Sequence, residues 1–403
     1  MAAPLPRPDP LALPPVPPPA RSDHPWRDRV VVTLFGLALA VALGGAIVNR
    51  DVTVTAFENR SAAGWPSLPP SYADSRAWPA KVEAAFADRF GGRNALIALH
   101  HWTMAVGFGA SPVANLLIGR DGWLFFLGED GKAVDRDYRG VAPYVPDGSA
   151  KIAAEFKRRH DYLTALGIAY VVMIVPDKAT IYPEYLPPWA TKVAPQTRLD
   201  RLYAALAAYP EIIVLDLRPA LTEAKARERS YYKTDSHWNL VGATIGYEAL
   251  AAALQAKVPG FPAVPAERPP YVAGVDFYSG DLANLIGLPG SFREDDIAPF
   301  GKVMANAAGH CAKLAEAPFA PGSPRPPAET LVHVCDRPER PTALVYRDSM
   351  GVLLIPLLSE NFRRIVYVAD RRLDRALVER EKPQVVIEEL VERNLHMPTV
   401  WPM

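Results

Sequence analysis

The chain has 403 residues, 49% of them hydrophobic, enough for one large domain or two smaller ones around a substantial core. Lys+Arg and Asp+Glu both number 44, so the formal net charge is zero and the basic excess of a nucleic-acid binder is absent. The 42 prolines, about twice the usual frequency, crowd the first residues and predict an unstructured Pro-rich cytoplasmic tail over 1–29.

Residues 30–48 carry no charge, and Thr33 is their one polar side chain. As a helix this stretch is roughly 28 Å long, enough for a bilayer core, so a transmembrane anchor is expected over 30–49. Arg7, Arg21, Arg27 and Arg29 precede it, with Asp9, Asp23 and Asp28 interleaved, and Arg50 and Asp51 follow. Lys and Arg set the orientation, which places the N-terminus inside and the remainder outside the cytoplasm. A cleaved signal peptide competes with this reading; the long Pro-rich leader and the length of the apolar stretch weigh against it. Cys311 and Cys335 suit an oxidising compartment, and a disulfide between them closes a loop of about 25 residues. Free thiols, or a metal site shared with His310 and His333, are the alternatives, although the spacing matches no standard zinc pattern.

Residues 50–117 read as a membrane-proximal helical lead-in, with apolar residues at helical spacing over 81–90 (Val82, Ala85, Phe86, Phe90) and 94–106. Residues 120–126 read as a turn, built on Asp121-Gly122, entering an aromatic strand. Over 118–397 the pattern is α/β. An amphipathic helix at 151–166 leads to a continuous apolar strand at 169–175, then a helix at 197–208 and a strand at 212–215. Further strands fall at 343–346, 365–368 and 385–387. Uninterrupted apolar runs alternating with helices predict a flavodoxin-like, doubly wound parallel sheet covered on both faces. Within it, the Pro-, Gly- and Ala-rich stretch 257–340 reads as an irregular insertion or loops over the sheet.

Two short segments carry the chemistry. Ser349 follows the 343–346 strand and precedes a helix-like run at 352–362, which presents a hydroxyl at the carboxyl edge of a sheet near a helix N-terminus. Asp348 or Ser349 acting simply as a helix cap is the plainer alternative. Asp235 and His237 lie in a loop just before Asn239, an N-cap for the helix that follows. Two residues apart in extended chain, they point the same way, so the Asp235 carboxylate can hold one imidazole nitrogen while the other serves a nucleophile. The alternatives for His237 are a polar loop residue beside Trp238, or a metal ligand with Asp235 for which no further ligands are evident.

An Asp-x-His-Trp segment ahead of an Asp-Ser motif resembles the SGNH-hydrolase-like polysaccharide O-acetyltransferases of the alginate type, the AlgJ/AlgX family. The likeness extends in order over about 57–397: Phe57-Glu58-Asn59-Arg60, the 119–126 segment, Val175-Pro176-Asp177-Lys178 with Tyr182-Pro183-Glu184, and Ser279-Gly280-Asp281-Leu282-Ala283. Tyr346 to Met350, Leu358 to Phe362, and Glu392-Arg393-Asn394-Leu395 complete it. The resemblance implies a circularly permuted SGNH fold, because the Asp/His pair precedes the serine. It makes Ser349 the nucleophile, His237 the general base and acid, and Asp235 its orienting partner. Arg347 stands where the family pattern has glycine. Lys178 and Arg347 are candidates for substrate or acyl-donor contacts, and Gly280 and Asn284 for the oxyanion hole. The basic residues Arg363, Arg364, Arg371 and Arg372 suit either an anionic polymer or plain solvation. The family further implies no soluble cofactor, with acetyl groups supplied across the membrane by a multi-pass MBOAT-type acyltransferase. The expected protein is thus a single-pass inner-membrane, periplasm-facing O-acetyltransferase acting on an exported polysaccharide. An esterase with the same triad, or a non-catalytic assembly protein of an exopolysaccharide complex, are the rivals.

Overall fold

The computed structural model describes residues 25–53, 61–141, 148–262, 274, 277–294, 298, 311–314 and 330–396. Residues 1–24 of the tail expected over 1–29, the Phe57–Arg60 motif, His310 and most of 257–340 lie outside these, while residues 25–29 are helical. The chain divides into two units, Met1–Ile97 and Ala98–Met403.

In the first unit a helix runs over Pro25–Val48, with mean hydropathy 2.5 in its most apolar window, long and apolar enough to cross a membrane. Its C-terminal turns approach Gly91 so closely that a Cβ on Gly91 would lie within van der Waals radius of the Val41 carbonyl. The Gly91 amide donates to Ala42 O at 3.1 Å. Of the helices expected in the lead-in, one is Trp78–Ala87 and the other Arg93–Trp102, which continues as a π-helical turn over Thr103–Gly107.

The second unit is built on a seven-stranded sheet. Its strands are β3 (Ala169–Val175), β4 (Ile213–Asp216), β5 (Cys311–Leu314), β6 (Thr330–Cys335), β7 (Thr342–Tyr346), β8 (Arg364–Val368) and β9 (Val385–Val391). The order is β4-β3-β9-β7-β8-β6-β5, in which the first five strands are parallel and β6 and β5 run antiparallel at one edge. A separate hairpin pairs β1 (Leu116–Ile118) with β2 (Leu124–Phe126) around the expected Asp121-Gly122 turn. Both Asp121 and Gly122 take positive φ, 54° and 76°, which the short polar side chain of aspartate tolerates and glycine adopts freely.

The central strands are buried on both faces, as their unbroken apolar runs predict. Val171, Met173 and Val175 of β3 pack with Val345, Ile387, Trp238 and Leu250 on one side. Tyr170, Val172 and Ile174 pack with Leu344, Val386, Phe156 and Leu202 on the other. The flanking helices start where their caps dictate. Thr197 and Asp200 form a reciprocal capping box before Arg198–Leu206, and Asn239 accepts from Gly242 N at 3.2 Å to open Leu240–Lys257.

Two expectations need correction. The 352–362 run is not one helix: it is a 3₁₀ turn over Met350–Leu354, an α-helical turn over Ile355–Leu358 and another 3₁₀ turn over Ser359–Asn361. Pro356 lacks the N–H that would continue the first turn, so the ladder restarts there. The stretch 257–340 is also not wholly irregular, since it supplies β5 and β6.

Cys311 and Cys335 face each other across β5 and β6 and are disulfide-bonded, which decides among the three readings of the pair. The bridge closes a loop with a sequence separation of 24. On the chain-entropy account, Cys335→Ser costs roughly 3 kcal/mol. Denaturant unfolding of wild type with and without reductant should show the same loss, and the variant should become insensitive to reductant.

Candidate active site

The carboxyl ends of β3, β9 and β7 lie side by side, with Val175 opposite Val391 and Tyr346 opposite Glu388. In an open parallel sheet this edge is where ligands bind. The chain leaving β7 turns sharply through Arg347, Asp348 and Ser349. Asp348 holds this turn: its Oδ1 accepts from Met350 N at 2.9 Å, and its Oδ2 accepts from Val391 N at 2.8 Å and Asn394 Nδ2 at 2.9 Å. Asp348 therefore does the capping, and Ser349 is left out of it. The Ser349 side chain makes no cap hydrogen bond and is exposed. Among the described residues, neither its hydroxyl nor its amide has a protein partner, while the amide of Met350 is taken by Asp348.

The Asp235 loop is fixed from three sides. Lys178, buried beneath it, donates to the carbonyls of Tyr232, Lys233 and Asp235 at 3.0, 3.1 and 2.6 Å. Glu294 accepts from the amides of Lys233 and Thr234 at 3.0 and 2.8 Å. Gly280 lies against Asp235, where a Cβ would sit 2.4–2.6 Å from the Asp235 Cβ, Cα and N. The Asp235 carboxylate then accepts four hydrogen bonds. Oδ1 takes His237 Nδ1 at 2.7 Å and the His237 amide at 3.1 Å; Oδ2 takes Tyr278 OH at 2.9 Å and the Asp281 amide at 3.0 Å. Burial alone would raise its pKa, but the bonds from His237 and the amides outweigh burial and hold it well below the usual carboxylate range. An ionised aspartate on Nδ1 fixes the imidazole tautomer and stabilises an imidazolium.

Trp238 joins this loop to the serine turn. Its indole Nε1 donates to Met350 O at 2.9 Å, so the residue after His237 grips the residue after Ser349. The fully buried indole fits against the helix Leu240–Lys257 because Gly246 has no side chain; a Cβ there would come within 2.7 Å of the ring.

Asp281 is a second carboxylate beside the dyad. It accepts from Ser236 N at 2.6 Å and Ser236 Oγ at 2.5 Å, and stands 3.7 Å from His237 Nδ1. Burial and the neighbouring Asp235 raise its pKa. Donor atoms of Asp235, His237 and Asp281 lie within 4.8 Å of one another, a spacing that a metal ion could bridge. Each carboxylate oxygen, however, already accepts a protein N–H or O–H, the pattern of a hydrogen-bonded acid–base pair.

Three of the four secondary candidates hold the loop rather than face a ligand. Lys178 spends its ammonium on three carbonyls over the Trp123 and Phe125 rings, and burial brings its pKa down to about 8. The Gly280 amide donates to Thr234 Oγ1 at 2.9 Å and so is not an oxyanion donor. Asn284 Nδ2 is occupied by Ser279 O and Gly280 O at 3.2 and 2.8 Å. Arg347 is buried and donates to Asp348 O at 3.1 Å. Unlike the Gly280 amide and Asn284 Nδ2, the Ser349 amide donates to no protein acceptor among the described residues. Sequence reasoning missed Tyr278 and Glu294; the one available signal was the Ser279–Ala283 motif next to Tyr278. Gly280→Ala is expected to cost about 1–3 kcal/mol, because the added methyl must displace backbone. Thermal unfolding of the variant, together with loss of Ser349 reactivity, checks this.

Residues 116–304 match a family model described as an SGNH hydrolase-like domain of acetyltransferase AlgX. That match takes in Asp235 and His237 and stops before Ser349, whose placement rests on the structure. A curated relative from Pseudomonas putida, named "Probable alginate O-acetylase AlgJ", is 31% identical over 183 residues, covering 43% of this chain and 42% of its own. The protein of the same name from Pseudomonas syringae pv. tomato is 26% identical over 219 residues, covering 52% of each. The chain thus spans between two fifths and about half the length of these relatives. The solved O-acetyltransferase domain of Pseudomonas putida AlgJ overlays 70% of this chain and 92% of its own at 22% identity, with a TM-score of 0.44. Over residues 116–304, the chain is thus similar to SGNH hydrolase-like, AlgX-type acetyltransferase domains.

Proposed function

We propose that this protein is an O-acetyltransferase that acetylates hydroxyls of an exported polysaccharide through an acyl-Ser349 intermediate. The observation that carries the reading is the Asp235–His237 pair, 2.7 Å apart and tied by Trp238 to the turn bearing the exposed Ser349. His237 Nε2 takes the Ser349 proton as Oγ attacks the acetyl carbonyl. The oxyanion forms against the Ser349 amide, and the leaving group departs with the proton from His237. A sugar hydroxyl then gives its proton to His237 and attacks the acyl-serine. This releases the sugar ester, and His237 returns the proton to Ser349. The names of the Pseudomonas relatives point to alginate-like polymers as the substrate class. The chemistry requires no cofactor of its own. The acetyl group is supplied by an MBOAT-type membrane acyltransferase, and the apolar Pro25–Val48 helix anchors the catalytic unit at the periplasmic face of the inner membrane. The disulfide suits that compartment.

The test is to incubate the full-length protein in detergent with an activated acetyl ester and follow peptide masses. An acetyl mass on the Ser349 peptide, cleared faster by an oligosaccharide acceptor than by water, is expected. Clearance indifferent to the acceptor would make the protein an esterase, and an acetyl mass that persists in Ser349→Ala would sink the mechanism.

A further inference from the structure

Beneath the serine turn lies a carboxyl group that the mechanism above leaves unused. Glu389, near the carboxyl end of β9, is fully buried. Its Oε2 accepts from the Asp348 amide at 3.1 Å. It also stands so near the following turn that a Cβ on Gly351 would lie 2.5 Å away from it. The other oxygen, Oε1, is buried and accepts from no N–H or O–H group among the described residues, and the carboxyl group stands next to the Asp348 carboxylate; two carboxyl groups placed together away from water are compatible when one keeps its proton. Asp348 already serves three N–H donors as an acceptor, so the proton belongs on Glu389.

We propose that Glu389 is a positioning residue for Ser349: a proton-bearing carboxyl group that grips the amide of Asp348 from below, stands neutral beside its carboxylate and fixes the turn that presents the nucleophile. The inference rests on Ser349 being that nucleophile. Neutrality matters as much as grip. An ionised Glu389 would set a second negative charge beside the Asp348 carboxylate, under the turn whose Ser349 amide receives the oxyanion. The charged groups acting on it are Asp348 in the turn and Arg347 at the end of β7; burial is the largest influence, then Asp348, and its pKa lies well above the usual carboxyl range. As pH rises, Glu389 therefore passes from the neutral, gripping form to the ionised one.

Glutamine keeps a carbonyl to receive the Asp348 amide, and it cannot ionise. In full-length protein, the rate of covalent reaction of Ser349 with a fluorophosphonate and with an activated acetyl ester is compared across wild type, Glu389→Gln and Glu389→Ala. Glu389→Gln should stay close to wild type at neutral pH and lose the alkaline decline due to Glu389. Glu389→Ala should react about 10²-fold more slowly, the scale of a misplaced reacting group, while melting as a folded protein. An unchanged rate in folded Glu389→Ala, or a Glu389→Gln as slow as alanine, overturns the inference. If wild type itself does not react, the acyl-serine reading has failed instead. Amide exchange over residues 346–354 then judges the grip alone, with faster exchange expected in Glu389→Ala and not in Glu389→Gln, and equal exchange counting against it.

Discussion

Replacing Asp235 by asparagine is expected to slow acyl-serine formation by about 10⁴-fold while leaving the loop in place. The expectation follows from the four bonds its carboxylate receives. An asparagine oxygen in the Oδ2 position still accepts from Tyr278 and the Asp281 amide and so holds the loop, although the His237 amide loses its acceptor at Oδ1. At the Oδ1 position the amide nitrogen becomes a donor facing His237 Nδ1, which must then give up its proton and turn acceptor. The proton moves to Nε2, the nitrogen that has to take one from serine. The imidazolium also loses the anion beside it. Ser349→Ala removes the site of acylation altogether and should show no covalent adduct. Burst kinetics with an activated ester, read beside melting temperature, check both. A variant that is slow and also unfolded would not support the assignment, whereas one that is slow and native would. Because Asp235 stays ionised well below the ordinary carboxylate range, acid should not switch off wild type through this residue.

The second large effect is on stability. Arg159→Ala is expected to destabilise the catalytic unit by about 3–5 kcal/mol. Arg159 lies on the helix Gly148–Ala165 and Glu388 on β9, and both are fully buried. The guanidinium bonds Glu388 Oε1 and also takes Glu155 at 3.0 Å, while Tyr170 OH donates to the other Glu388 oxygen. Taking away the arginine leaves a carboxylate in the sheet with a tyrosine hydroxyl as its remaining donor. The penalty is thus that of a stranded charge rather than the worth of the pair. Changing both partners, Arg159→Met with Glu388→Met, should recover most of the loss, because apolar side chains suit that layer. Urea denaturation of the two singles and the double measures this. Additive losses in the double variant would contradict it.

These two sites differ in how far the sequence disclosed them. Apolar runs such as 169–175 and 385–387 announce doubly covered strands, because only a strand buried on both faces can be apolar at every position. Asp235 and His237 were legible because they are local, two residues apart, and their partnership needs no tertiary information. Ser349 was legible through its place between a strand and a turn. Gly280, Asn284 and Lys178 were misread because nearness to the site was visible and direction was not; their donors point into the loop they support. β6 hid because Thr330–Cys335 is a half-buried strand next to the sheet's edge, without a continuous apolar pattern. Glu388 and Glu389 give the same sequence signal, adjacent acids in an apolar run. Strand alternation sends one to Arg159 and the other to the serine turn, a division that depends on what packs on each face.

The last of the described strands, β9, lies inside the sheet, between β3 and β7. Apart from it, β4 and β3 pair as one fragment on the side of the Asp235–His237 loop, and β7, β8, β6 and β5 pair as another on the side of Ser349. No hydrogen-bonded strand joins the two. Glu388, Glu389 and the Val391 amide that hold both fragments arrive together, in a single stretch of seven residues. A chain clipped before residue 385 should therefore lose the sheet continuity that sets the Ser349 turn beside the Asp235–His237 loop.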